Sequence, residues 1–62
     1  MSDQAELSSA ATILEELTVR VVTVANRMAS ATEEGLAADL FEVERSLRAA
    51  QRRLLEVVGR LG

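Results

Sequence analysis

Sixty-two residues carrying ten acids and seven arginines, net −3, make one small domain at most. The chain has no Cys and no His, which excludes disulfides, thiolate metal sites, the commonest metal ligand and the commonest general base. Small folds denied disulfides and metals usually reach stability by oligomerising.

The composition is 48% hydrophobic, yet Phe41 is the single aromatic. That is the profile of helix seams built from Leu, Val and Ala, not of a sandwich or barrel. Pro is absent and Gly is confined to positions 35, 59 and 62. Every cationic side chain is Arg, a usage associated with GC-rich, bacterial genomes. The charge is unevenly placed. Residues 1–44 hold nine acids against two Arg, a net of −7, whereas residues 45–62 hold five Arg against Glu56, a net of +4.

The chain opens on Met-Ser-Asp-Gln-Ala-Glu, acidic and without a basic or apolar leader, so a cytoplasmic protein is expected. Asp3, with Glu6 three residues on, is the expected N-cap of a first helix over about 4–29. Within it Leu7, Leu14, Val21 and Met28 recur every seven residues, and Ala10, Leu17, Val24 and Ala31 do so three places later. This is an a/d coiled-coil seam. Arg20 and Arg27 interrupt its apolar run, so no membrane span is expected.

The first seam, continued, would place Gly35, Ala38, Glu42 and Arg45 in the core. The phase breaks, and a turn is expected over about 30–33, with Ser30-Ala31-Thr32-Glu33 as a capping box or Thr32 as the alternative cap. A second helix over about 34–60 follows, with Leu40, Leu47, Leu54 and Leu61 on one series. Leu36, Val43, Ala50 and Val57 form the other.

Folding back at the turn pairs Met28 with Leu36, Val24 with Leu40, Val21 with Val43, and Leu17 with Leu47. Leu14 with Ala50, Ala10 with Leu54, and Leu7 with Val57 complete the series. Each facing pair has residue numbers adding to 64, and Arg27 near Asp39 would help fix that register. The expected architecture is all-α: an antiparallel two-helix hairpin dimerising into a four-helix bundle. Val22, Ala25, Ala37, Phe41, Leu55 and Val58 flank the seam and form the candidate association face. A homodimer is the expected assembly, with a heteromeric helical partner as the alternative occupant of that face.

Arg45, Arg48 and Arg52, with Arg53 alongside, form a stripe that could grip phosphates or an acidic helix. Against that, Glu44 to Arg48, Glu56 to Arg60 and Glu16 to Arg20 are favourable i,i+4 pairs, and no Lys, Gly-rich loop or stacking aromatics accompany the stripe. Nucleic acid is therefore the disfavoured partner. Adjacent acids such as Glu15-Glu16 diverge by about 100° on a helix, and Ser8-Ser9 and Ser46 have no base to activate them. No catalytic, metal or cofactor residues are assigned.

In size and plan the chain resembles the small plasmid RNA-binding dimers built from two helical hairpins, a likeness of architecture that no residue motif extends to activity. The expected role is a non-catalytic interaction module, a small adaptor or regulator. Nucleic-acid or nucleotide binding by the Arg stripe, and a structural subunit of a larger helical assembly, are the alternatives.

Overall fold

In a computed structural model, which describes residues 2–62, two helices of equal length lie antiparallel. The first, α1, spans Asp3–Ser30 and the second, α2, Glu34–Leu61. Each starts or ends within a residue of its expected limit. The hairpin measures 45 × 16 × 9 Å, with a radius of gyration of 14.3 Å. A compact globule of this length would have roughly 11 Å. The molecule is a thin ribbon with two broad faces.

Ser2, not Asp3, caps α1. Its extended backbone (φ −84°, ψ 149°) brings the hydroxyl to the Ala5 N–H, which donates to it at 3.1 Å. Asp3 and Glu6 instead occupy the first turn, where their charges complement the positive end of the helix dipole.

The expected capping box at Ser30 does not form. Ser30 is the last residue of α1, and Glu33 occupies the N-cap of α2 without a side-chain cap bond. The three-residue connection is used instead to close α1. Ala31 N–H bonds to the Arg27 and Met28 carbonyls, and Glu33 N–H bonds back to Met28 O at 2.9 Å. That six-to-one bond is the signature of a Schellman-type ending, which needs a left-handed residue between. Thr32 supplies it at φ 66°, a β-branched side chain where glycine is the low-energy choice.

The seam is where the structure departs most from the heptad reading. Ala11, Thr18, Ala25 and Ala37 are the residues packed most deeply, each no more than 3% exposed. Leu17, Leu36, Val43 and Val57, expected inside, are between 41% and 52% exposed. Stepping away from the turn, a line of shielded positions runs 28, 25, 21, 18, 14, 11, 7 on α1 and 37, 40, 44, 47, 51, 54, 58 on α2, with Glu15, Val22, Val24, Phe41 and Ala49 shielded beside it.

More than half of the expected seam is kept: Leu7, Leu14, Val21, Val24, Met28, Leu40, Leu47 and Leu54 are all partly shielded. At Ala10, Leu17, Leu36, Val43, Ala50 and Val57 the next residue along the chain is the more shielded one instead. The cause is size. Backbones approach most closely where side chains are smallest, and closer backbones gain more dispersion contact. Thr18 fits this line because its hydroxyl donates to Leu14 O at 2.8 Å, which leaves its methyl for packing. No buried side-chain polar atom among the described residues lacks a partner.

At the open end, Gln4 Nε2 of α1 donates to Val58 O of α2 at 3.4 Å. Gly62 N–H closes the last turn of α2 on the same carbonyl at 3.2 Å, so this acceptor takes one donor from its own helix and one from the other.

Two substitutions test this account. Replacing Thr32 with Gly should raise stability by about 1 kcal/mol in chemical denaturation, since it removes the left-handed penalty. Ala25→Leu should cost about 1–3 kcal/mol by overpacking the seam, while Ala38→Leu, on the exposed back of α2, should stay within about 0.5 kcal/mol.

Candidate interaction surface

With small residues at the deepest positions of the seam, most of the larger aliphatics fall on or beside one broad face. Leu17, Val21 and Val24 of α1 and Leu40 and Leu47 of α2 line a shallow groove edged by Arg20. It continues towards the turn along Val24, Met28 and Ala31, edged by Arg27 and Glu33. Heptad position places Leu36, Val43, Ala50, Val57 and Leu61 on the α2 side of the same face. The groove is open along its length and holds no enclosed cavity.

The opposite face differs in kind. Ser8, Thr12, Glu15, Gln51 and Leu55 line its far half, and Phe41, Glu44, Arg45 and Arg48 its half nearer the turn. All the ion pairs among the described residues lie on this side or on the adjoining back of α2. Arg48 Nε donates to Glu44 Oε2 at 2.8 Å, and Arg48 Nη1 approaches Glu15 Oε2 at 4.0 Å, the single ion pair among the described residues that joins the helices. Arg45 Nη1 meets Glu42 Oε1 at 3.1 Å. The Glu44 hydrogen bond holds the Arg48 guanidinium above its usual pKa, opposed by partial desolvation and helped by the charges of Glu44 and Glu15.

This arrangement changes the reading of both candidate surfaces. Ala25 and Ala37, expected on the association face, are buried inside the hairpin. Val22, Phe41 and Val58 are half-buried on the flank beside them, which leaves Leu55 as the exposed member of that set. The apolar face lies on the other side of the ribbon. The arginine stripe is not a free row of positive charge either. Arg45 and Arg48 sit with Glu42, Glu44 and Glu15, a cluster of net −1, and of the stripe's four arginines Arg52 and Arg53 lack an ion pair among the described residues. Such a cluster offers a phosphate little attraction.

Several expected pairs are absent. Neither Glu16 with Arg20 nor Glu56 with Arg60 forms an ion pair, and Arg27 does not meet Asp39. The last two occupy the outer edges of different helices, on opposite rims of the groove, which the 64-sum register had placed side by side. Six charges rim the apolar face at heptad spacing: Glu6, Arg20 and Arg27 on α1, and Asp39, Arg53 and Arg60 on α2. None of them has an ion-pair partner among the described residues.

Nothing in the described residues gathers three acids into a cation site, and no helix is long and apolar enough to cross a membrane. Changing Arg45, Arg48 and Arg52 together to Gln should leave helicity and cooperative unfolding nearly as they are, because surface ion pairs contribute little. Circular dichroism melts read this directly, and a collapse of the transition would assign the stripe a structural role. No known protein family matches this sequence, and neither curated proteins nor solved structures show a significant likeness to it.

Proposed function

We propose that this protein is a non-catalytic helical interaction module, a small adaptor or regulator whose fold is completed by association and which engages a protein through its helix faces. One observation carries the reading. The residues that the hairpin buries most deeply are small, whereas Leu17, Leu36, Val43, Val57 and Leu61 are exposed on one face. A self-sufficient domain puts those residues in its core, and a contiguous apolar face on a soluble surface marks an interaction site.

The amount of surface agrees. A folded chain of 6.7 kDa is expected to expose about 3,900 Å². This one exposes 4599 Å², an excess of roughly 700 Å², close to the ~800 Å² that one partner contributes to a standard protein interface. Chemistry of other kinds finds no support in the side chains. There is no His, Cys or Lys in the chain, and the serines have no activating base beside them.

The test is the concentration dependence of folding. If the fold needs association with itself, raising the chain from 1 to 100 μM should lift its melting midpoint by on the order of 10 °C. If it needs a different protein, the isolated chain should melt broadly and bind an apolar dye at every concentration. A sharp transition that does not move with concentration contradicts the reading, because a hairpin that stands alone has no face left to complete.

A further inference from the structure

We infer that the occupant of the apolar face is a second copy of this chain, stacked groove to groove, with the charges on the rims pairing between copies. The inference rests on the interaction-module reading and adds the identity and orientation of the partner.

The argument comes from the spacing of the rim. On α1 the outer edge of the apolar face reads Glu6, Ile13, Arg20, Arg27, one position every seven residues. On α2 the corresponding edge reads Asp39, Ser46, Arg53, Arg60. The two series match: an acid first, then a neutral residue, then two arginines. The offset between them is 33 residues. The apolar positions obey the same offset, with Leu7, Ala10, Leu14, Leu17, Val21, Val24 and Met28 answered by Leu40, Val43, Leu47, Ala50, Leu54, Val57 and Leu61. Offset and register together give the face an approximate two-fold axis, passing between Leu14 and Leu17 of α1 and Leu47 and Ala50 of α2.

Two such hairpins can stack face to face about either two-fold axis in the plane of contact. One sets α1 beside α1 of the second copy, the other α1 beside α2. Both make every neighbouring pair of helices antiparallel. Antiparallel neighbours bring the acid at the start of one edge level with the last arginine of the other, so Glu6 and Asp39 each meet Arg27 or Arg60 of the second copy. The middle positions set Ile13 or Ser46 against an arginine, whose aliphatic stem can lie along them. No like charges face one another. Helices packed parallel would instead put acid on acid and arginine on arginine, which is destabilising.

Three observations therefore agree on a second copy. The rim is complementary to itself, the rim charges are unpaired within one hairpin, and the excess surface is the size of one side of an interface. Aliphatics on both helices would then form the core of a four-helix bundle, with a and d positions facing the middle and the small-residue seam holding each hairpin together.

Charge exchange tests this directly. One variant, Glu6→Arg with Asp39→Arg, makes the rims wholly positive; another, Arg27→Glu with Arg60→Glu, makes them mainly acidic. The changed side chains carry no ion pair within the hairpin, so each variant should remain helical. Analytical ultracentrifugation at low salt should find the unaltered chain at twice 6.7 kDa, each variant alone dissociating at least about tenfold more readily, and the equimolar mixture restored as a heterodimer. Val43→Asp should dissociate the dimer, and Phe41→Glu, on the opposite face, should not.

The inference is overturned if the two charge variants dimerise alone as tightly as the unaltered chain and show no preference for one another. It is equally overturned if Phe41→Glu dissociates the dimer while Val43→Asp does not. An unaltered chain that is monomeric, loosely ordered and dye-binding removes the second copy but leaves the interaction module standing. One that is monomeric with a sharp transition removes both.

Discussion

Everything in this hairpin depends on how closely its two backbones approach along the line of Ala11, Thr18, Ala25 and Ala37. Small side chains at that line let the helices close together, and the close contact becomes the hairpin's interior. Leu7, Leu14, Val21, Leu40, Leu47 and Leu54 stay partly shielded beside that line, while Leu17, Leu36, Val43 and Val57 turn out to one flank. A thin ribbon with an apolar face is the geometric result of putting alanine and threonine at the deepest positions of α1.

The turn and the seam reinforce each other. Three residues join the helices, and closing α1 through the Glu33 to Met28 bond requires a left-handed residue at Thr32. The threonine accepts a conformation that its β-branch disfavours because the surrounding bonds leave it no other. That short connection turns the chain back so that α2 runs beside α1 from Ala37 near the turn to Val58 at the open end, where Gln4 of α1 reaches the Val58 carbonyl.

Charge follows the same division. The side of the ribbon away from the groove carries Glu15, Glu44 and Arg48, which satisfy one another in a network that also links the helices. The rims of the groove carry Glu6, Arg20, Arg27, Asp39, Arg53 and Arg60, and none of them has an ion-pair partner among the described residues. A flank whose charges pair with one another and a face whose rim charges do not give the ribbon two unlike sides, though its helices are equal in length and alike in pattern.

The residues alone determined a good deal. The heptads of Leu7, Leu14, Val21 and Met28 and of Leu40, Leu47, Leu54 and Leu61, with the phase break between them, were enough for two helices and an antiparallel fold. Helix periodicity and chain reversal are written in local spacing. The missing His, Cys and Lys narrow the chemistry through composition alone. Only the tertiary structure decided which of two adjacent heptad series lies inside. The sequence marks Leu17 and Val43 as more hydrophobic than Thr18 and Glu44, so hydrophobicity by itself selects the wrong half of the seam. What overrides it is the distance between backbones, a property of two helices together that neither pattern contains. The same limit applies to Arg27 and Asp39. Their pairing needs both side chains turned to the same side of the seam, and the packing of the small residues turns them to opposite rims of the groove instead.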